Sequence, residues 1–219
     1  VGPQRPEHKN AVILLHGAGA NRHDLAPLAN YLDRGKNYDW YFPEAPQTIN
    51  PAFNMHVWFP VEEVIGLLAD PRTRPQDVGH YRPEGLTHAR QALGEFIEGL
   101  LPSYDQVILG GFSQGAMMAA DYFFQNRTSK LKGLMLFSGT SLDHETWLRY
   151  ASALPKIPIF QSHGEADTIL PYRFGKVLED FLRAQGFPVE FHSFSGGHEL
   201  PDEILRSAQV YLKRMFEES

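Results

Sequence analysis

The sequence predicts an α/β fold with a mainly parallel central sheet and helices on both faces. Apolar runs with strand character alternate with amphipathic segments along the chain, which is the order that builds a parallel sheet. The run AVILL at Ala11–Leu15 is apolar without a break, as is typical of a strand covered on both faces. The 219 residues, 42% hydrophobic and 21% charged, suit a single domain over residues 1–219.

The first part of the chain begins with a polar N-terminal segment, residues 1–10, ahead of the first strand. A helix is predicted over Asn21–Asp33, because Leu25, Leu28 and Leu32 recur at helical spacing. A short strand over Trp40–Phe42 follows and is closed by a proline. Residues 44–82 contain several prolines and the aromatic stretch PAFNMHVWFP, so we expect an irregular loop there.

The rest of the chain continues the alternation of helices and strands. The predicted elements are a helix over Pro83–Leu101, a strand over Gln106–Gly110, a helix over Ser113–Gln125, a strand over Leu134–Phe137, a helix over Asp143–Ala151, a strand over Ile157–Gln161, a helix over Tyr172–Gln185, a strand over Val189–Phe194 and a helix over Asp202–Phe216. In parallel sheets ligands bind beyond the carboxyl ends of the strands. Reactive side chains just after strands are therefore the candidates for function.

The composition excludes several kinds of protein. The chain has no cysteine, which excludes disulfides, thiolate metal sites and a cysteine nucleophile. A net charge of -6 without a Lys/Arg cluster argues against a nucleic-acid partner. No apolar run approaches the roughly 20 residues of a membrane span, and the N-terminus VGPQRPEHKN does not resemble a signal peptide. A cytoplasmic location is therefore expected, and the oligomeric state stays open, with a homodimer among the alternatives.

The stretch VILGGFSQGAMMAADYF places a serine between a strand and a helix. Gly111 and Gly115 stand two residues on either side of Ser113, where side chains would crowd so sharp a turn. This Gly-x-Ser-x-Gly pattern indicates a nucleophile elbow, which exposes the hydroxyl at a helix N-terminus. The pentapeptide alone also arises by chance in ordinary turns, and it is the strand before it and the helix after it that favour the functional interpretation.

A serine nucleophile needs a base and an acid that orients the base. His198 lies in a Ser-Gly-Gly loop between the last predicted strand and the last helix, and so at the same sheet edge as Ser113. Asp167 and Glu165 both follow the strand IPIFQ, and the pattern alone leaves both as candidates. The order serine, acid, histidine is the one found in α/β-hydrolases.

An oxyanion hole requires two N–H donors beside the nucleophile. One is expected to be the N–H of Gln114, the residue after the nucleophile. The stretch LLHGAGAN, which follows the first strand, is expected to supply the second donor from Ala18. A phosphate-binding loop is the weaker interpretation, since neither a Gly-Lys-Ser/Thr ending nor G-x-G-x-x-G is present.

With these motifs the sequence resembles the family of small α/β-hydrolases that contains acyl-protein thioesterases, carboxylesterases and lysophospholipases. Five stretches resemble the family in order: LLHGAGAN, FPEAPQ, GGFSQGAMMA, SHGEADTILPY and GGHEL. The resemblance implies that Asp167, rather than Glu165, is the triad acid. It also implies an α/β-hydrolase fold without a large lid, and an enzyme that needs no metal or cofactor.

The resemblance and the motifs together predict a serine hydrolase acting on a small-molecule acyl ester or thioester, lysophospholipids included. Its triad would be Ser113, His198 and Asp167, working through an acyl-enzyme. Two alternatives stay open, which are a peptidase on the same fold and a binding module that holds a small ligand without turnover.

An apolar wall for the acyl chain is sought near the irregular 44–82 loop, which is expected to lie close to the active site. Trp58 in this loop resembles an aromatic of the family's substrate cleft, and Ile169 follows the triad acid. Both are candidate substrate-binding residues. The alternative for Trp58 is that it covers the core, the commoner position of a large aromatic.

Overall fold

The computed structural model describes residues 6–70 and 72–217. The first five residues of the polar N-terminal segment therefore lie outside the described residues. The strands are β1 (Asn10–Leu15), β2 (Asp39–Tyr41), β3 (Gln47–Asn50), β4 (Met55–Val57), β5 (Gln106–Phe112), β6 (Leu131–Phe137), β7 (Ile159–Gly164) and β8 (Val189–Phe194). The helices are α1 (Pro27–Leu32), α2 (Glu62–Ala69), α3 (Pro75–Gly79), α4 (Leu86–Leu100), α5 (Gln114–Gln125), α6 (His144–Ala151), α7 (Tyr172–Ala184) and α8 (Asp202–Glu217).

Six strands form one sheet in the order β2-β1-β5-β6-β7-β8. Every neighbouring pair in this sheet runs parallel. All six carboxyl ends therefore lie at one edge, and the loops after β1, β5, β7 and β8 meet there. β3 and β4 form a separate antiparallel hairpin.

Helices cover the sheet on both faces, which confirms the predicted architecture. Alternate residues of β1 point to opposite faces: Ile13 and Leu15 belong to one buried cluster, and Val12 and Leu14 to the other. The first cluster is completed by α2 to α7. The second is completed by α1 and α8. Within the described residues, no helix is both long and apolar enough to cross a membrane.

The helix predicted over Asn21–Asp33 is shorter than expected. The Asn21 and Asp24 side chains bond to nearby backbone N–H groups, and the Asp24 N–H donates to the Asn21 carbonyl oxygen. Such local side-chain bonds favour turns over helix. The helix α1 begins only at Pro27, where a proline fits the first helical position.

The segment predicted to be irregular, residues 44–82, contains the β3–β4 hairpin and the helices α2 and α3. At the hairpin tip, the Asn50 side chain accepts from the Ala52 and Phe53 N–H groups, and Asn54 takes a left-handed backbone with φ 50°. These two asparagines supply the geometry of the turn. The prolines and aromatics around them led to the prediction of an irregular loop instead of a hairpin. The segment packs beside the carboxyl edge of the sheet, where its residues line a cavity.

Candidate active site

Ser113 stands between β5 and α5 with a strained backbone. Its φ of 56° and ψ of -120° lie outside the regions that L-residues ordinarily adopt. The Ser113 N–H donates to the Phe137 carbonyl oxygen at 2.8 Å, which ties the turn to the neighbouring strand β6. Such strain at the first turn of a helix is the geometry of a nucleophile elbow.

Gly111 and Gly115 allow this turn to pack against β1. A Cβ on Gly115 would lie 2.0 Å from the Leu15 carbonyl oxygen. A Cβ on Gly111 would lie 2.5 Å from the Gly115 carbonyl carbon. Both distances are far below van der Waals contact, so the start of α5 can approach the end of β1 only where the side chain is hydrogen.

His198, which is partly buried, and the buried Asp167 form a hydrogen-bonded pair at the same sheet edge. The His198 Nδ1 lies 2.7 Å from Asp167 Oδ2, and the other carboxylate oxygen accepts from the Ile169 and Leu170 N–H groups at 2.9 and 2.8 Å. Burial opposes ionisation of Asp167, but these hydrogen bonds outweigh it and hold the carboxyl pKa below its usual value. Glu165, the other candidate acid, is exposed.

The loops that carry His198 and Asp167 are bonded to each other. The Glu165 N–H donates to the Phe194 carbonyl oxygen and the Ala166 N–H to the Gly196 carbonyl oxygen, both at 2.9 Å. These bonds extend the parallel pairing of β7 and β8 beyond the sheet. The short distance between the imidazole and the carboxylate is therefore fixed by backbone pairing.

His163 lies in contact with the carboxylate of Asp167. It is fully buried, and its Nε2 lies 2.7 Å from the Leu170 carbonyl oxygen and 3.5 Å from Asp167 Oδ2. Burial lowers the His163 pKa, so the ring is neutral and Nε2 carries the proton that the Leu170 carbonyl accepts. His163 lies in β7, four residues before Asp167, but its contact with the carboxylate depends on the fold of the loop between them.

The loop after β1 reaches the serine. A Cβ on Gly17 would lie 3.3 Å from the Ser113 Cβ, so the backbone of this loop runs directly beside Ser113. Within residues 6–70 and 72–217, the N–H groups of Ala18 and Gln114 have no hydrogen-bond acceptor. Gln114 is the first residue of α5, where N–H groups have no partner within the helix.

His16 determines how this loop is oriented. Its Nε2 accepts the Ala45 N–H at 3.1 Å, so the ring proton is on Nδ1, which donates to the Gly17 carbonyl oxygen at 2.8 Å. Burial lowers the His16 pKa, in agreement with a neutral ring. The Gly17 carbonyl and the Ala18 N–H belong to one planar peptide, so holding the carbonyl also holds the direction of the N–H.

A cavity of about 550 Å³ opens at this edge of the sheet. The cavity is lined by four residues of the predicted triad and oxyanion hole, which are Ala18, Ser113, Gln114 and His198. Asp167 does not line it and lies behind His198. Ile169 also lines the cavity and is 62% exposed, which places it at the rim. A further part of the lining comes from α2, through Val64, Ile65 and Leu68.

Trp58 does not line this cavity, and the expectation of an acyl wall there is wrong for the indole. The side chain is 1% exposed and belongs to the core cluster that includes Leu15. Its flanking residues Val57 and Phe59 line the cavity instead. β4 ends at Val57, and the indole of Trp58 is held toward the core by its Nε1, which donates to the His16 carbonyl oxygen at 2.9 Å.

No group of three or more His, Asp or Glu side chains that could hold a metal ion is found in the part of the chain that the structure describes. The polar groups at the cavity include the Ser113 hydroxyl, the His198 ring and the N–H groups of Ala18 and Gln114, with the side chains of Asp24 and Glu199 also in the lining. In this arrangement a serine hydroxyl can attack a carbonyl carbon. The two N–H groups can stabilise the negative charge that then develops on the carbonyl oxygen.

Comparison with known proteins agrees with this geometry. The sequence model of the family described as Phospholipase/Carboxylesterase matches residues 1–216. An acyl-protein thioesterase 1 of Candida albicans is 30% identical, over 95% of this chain and 93% of that protein. The crystal structure of esterase PE8 has a TM-score of 0.76 at 26% identity, covering 95% of this chain and 94% of that one.

A crystal structure from a plant is similar to this chain as well. The crystal structure of Zea mays acyl-protein thioesterase 2 has a TM-score of 0.75 at 25% identity, covering 97% of this chain and 96% of that one. The chain therefore belongs to the phospholipase/carboxylesterase family of α/β-hydrolases and is a hydrolase of the carboxylesterase and thioesterase type.

Proposed function

We propose that this protein hydrolyses acyl esters and thioesters through a Ser113–His198–Asp167 triad. The Ser113 oxygen attacks the acyl carbonyl carbon while His198 Nε2 takes the hydroxyl proton. The tetrahedral intermediate collapses, the proton passes to the leaving alcohol or thiol, and an acyl-serine remains. Water activated by the same histidine then releases the acid and restores the hydroxyl.

The observation that carries this proposal is the pairing of His198 Nδ1 with Asp167 Oδ2 at 2.7 Å, with His198 and Ser113 lining the same cavity. A carboxylate can only accept at that position, so Nδ1 carries the ring proton. The lone pair is then on Nε2, which is the nitrogen that must act as base. The negative carboxylate also stabilises the imidazolium that forms.

The Ala18 and Gln114 N–H groups would hold the oxyanion. Both line the cavity beside Ser113, and Gln114 begins a helix whose N-terminus carries a partial positive charge. Donors already fixed in place stabilise the charge of the transition state without reorganising.

The cavity indicates a substrate with an apolar acyl group. Its volume of about 550 Å³ falls within the range of small-molecule sites. The wall from α2 and the side chains of Ile169 and Leu170 is apolar. We assign the acyl chain to this wall, with Ile169 at the rim. The relatives named acyl-protein thioesterase agree with a thioester as one of the two substrate classes.

The nucleophile is tested by Ser113→Ala. With a nitrophenyl ester as substrate we expect kcat to fall roughly 10³-fold or more, because the triad acts as a unit, while the melting temperature stays close to that of the wild type. A fluorophosphonate should label Ser113 in the wild type and nothing in the variant. Ser152→Ala, at an exposed position at the end of α6, is the control and should hydrolyse normally.

Labelling of a different serine, or normal turnover by Ser113→Ala, would contradict the proposal. An anilide and a thioester with the same acyl group separate the substrate classes. We expect turnover of the ester and the thioester and none of the anilide. Faster cleavage of the anilide would favour a peptidase instead.

A further inference from the structure

The segment Met55–Phe59 joins the two halves of the proposed oxyanion hole, and Trp58 lies at the centre of the connection. Its indole Nε1 donates to the His16 carbonyl oxygen at 2.9 Å, on the Ala18 side. Its backbone N–H donates to the Gln114 Oε1 at 2.9 Å, on the helix side. One residue therefore bonds to both chain segments that carry the donors.

On the Ala18 side, two consecutive peptide planes are held by their carbonyl oxygens. The indole of Trp58 holds the His16 carbonyl, and the His16 ring holds the Gly17 carbonyl at 2.8 Å. Because peptides are planar, fixing these two oxygens leaves the Ala18 N–H little freedom to turn away from the cavity.

The hairpin strand β4 secures the far end of the same loop. The Gly19 N–H donates to the His56 carbonyl oxygen at 2.8 Å, and the His56 N–H donates to the Ala20 carbonyl oxygen at 2.9 Å. The loop from His16 to Ala20 is thus bonded to β4 on one side of Ala18 and to the indole of Trp58 on the other.

On the helix side, the connection runs through the buried side chain of Gln114. Its Oε1 accepts the Trp58 N–H, and its Nε2 donates to the Phe59 carbonyl oxygen at 2.7 Å. Both polar atoms of the amide are therefore used to hold the segment from β4. The side chain is 2% exposed, so water does not compete for these bonds.

We infer that Trp58 is a positioning residue of the catalytic reaction, which sets the spacing of the Ala18 and Gln114 N–H groups and does not contact the acyl chain. This inference rests on the proposed function. An oxyanion donor must lie about 2.7–3.1 Å from the position that the developing oxyanion will occupy. A residue that bonds to both donor segments controls that distance directly.

Trp58→Phe tests the inference, because it removes the indole N–H and keeps an aromatic ring in the core. Removing one oxyanion donor lowers kcat by roughly 10²–10³-fold, so we expect displacing one to lower kcat for a nitrophenyl ester about tenfold. KM should stay within about twofold, since the donors act on the transition state. The inhibition constant of a trifluoromethyl ketone, which forms a tetrahedral oxyanion on the serine, should rise by the same factor as kcat/KM falls.

Trp147→Phe is the matched control. Trp147 is fully buried in the same core cluster, and its Nε1 also donates at 2.9 Å, but to Asp121, away from the cavity. The Trp147→Phe variant loses an indole N–H as Trp58→Phe does, and its melting temperature should fall. The kcat, the KM and the inhibition constant of the folded variant should stay within about twofold of the wild type.

Gln114→Met tests the inference a second time, without changing the indole. It keeps the backbone N–H of residue 114 and removes both side-chain bonds to the β4 segment. We expect kcat and ketone binding to weaken in parallel, as for Trp58→Phe. This variant decides the question if Trp58→Phe does not fold.

Three results would overturn the inference. Unchanged ketone inhibition and kcat in either variant would show that the spacing does not depend on these bonds. A raised KM with unchanged kcat in Trp58→Phe would make the residue a substrate wall. A wild-type protein that turns over no ester and is not labelled at Ser113 would overturn the proposed function, and the inference with it.

Discussion

At the scale of single residues, the two oxygens of Asp167 have separate tasks. Oδ2 accepts from His198, while Oδ1 accepts from the Ile169 and Leu170 N–H groups. The backbone bonds keep the carboxylate from rotating, so the oxygen that faces the imidazole stays in place. In the proposed triad, Asp167 would therefore fix the tautomer of His198 as well as its orientation.

Asp167→Asn tests this division of tasks. The amide oxygen can still accept from Ile169 and Leu170, which places the amide N–H₂ toward His198 and forces its Nδ1 to accept. The proton then sits on Nε2, where a lone pair is needed, so kcat for the ester should fall by up to about 10⁴-fold. The variant should remain folded by circular dichroism.

Glu165→Gln is the control for the acid, since Glu165 is exposed two residues away. Its kcat should stay within about twofold of the wild type, as for a surface substitution that touches no partner. An equal or greater loss at this position would contradict the choice of Asp167.

Sequence motifs predicted the residues whose position follows from local pattern. Ser113, Asp167 and His198 each follow a strand, and parallel strands bring those ends together. Trp58 could not be predicted in the same way. Its two hydrogen bonds join residues 42 and 56 positions away in the chain, and no local pattern encodes such partners. An aromatic in a segment without clear periodicity is compatible with a wall or with the core.

At the scale of elements, the site depends on how closely α5 approaches β1. The two elements meet where Gly115 lies against the Leu15 carbonyl oxygen, immediately before the loop of His16 to Ala18. The same approach brings Ser113 next to Gly17. Packing between a helix and a strand thus sets the distance between Ser113, the proposed nucleophile, and one of the proposed donors.

Gly115→Ala should therefore damage both the fold and the site. Its Cβ would lie 2.0 Å from the Leu15 carbonyl oxygen, and backbone atoms on both sides must move to accept it. We expect a loss of stability of about 1–3 kcal/mol or more, the usual cost of overpacking, and a large fall in ester turnover. Urea denaturation and a nitrophenyl ester assay measure the two effects.

Gly94→Ala is the matched control in a helix. Gly94 lies in α4, and a Cβ there would have nothing within 4 Å. Alanine should raise stability by about 1 kcal/mol through helix propensity and leave turnover unchanged. Equal effects of the two substitutions would show that the approach of α5 to β1 is not tight.

Elements with strong periodicity were predicted closely, and short elements were not. The predicted strand Val189–Phe194 agrees with β8 to the residue. The error in α1 comes from the Asn21 and Asp24 side chains, which compete with the helix. The hairpin β3–β4 has strands of only four and three residues, too short for alternation to show.

At the scale of the whole molecule, three histidines are kept neutral in the interior. Burial lowers the pKa of His16, His144 and His163. The unfolded chain binds protons at these positions at a higher pH than the folded chain does. Folding stability should therefore be fully present above about pH 6.5, the unperturbed value, and decline as the pH falls below it.

His144 is the histidine for which this effect can be tested without touching the site. Burial, with a further contribution from the charge of His80, lowers its pKa to about 4. Its ring stacks on Phe181 at 4.5 Å, and its Nε2 has no hydrogen-bond partner among the described residues. Burial, the charge of His80 and the lack of a partner for Nε2 all disfavour an imidazolium at this position.

His144→Phe should make the protein less sensitive to acid. With a pKa of about 4 in the folded state and about 6.5 in the unfolded state, His144 costs the wild type about 2 kcal/mol of stability between pH 7 and pH 5. Phenylalanine keeps the stacking on Phe181 and does not titrate. Urea denaturation at the two pH values should show a smaller acid-induced loss in this variant, whereas exposed His23→Gln should follow the wild type. An identical loss in His144→Phe and the wild type would mean that this buried ring does not resist protonation, and that the acid sensitivity arises at other groups.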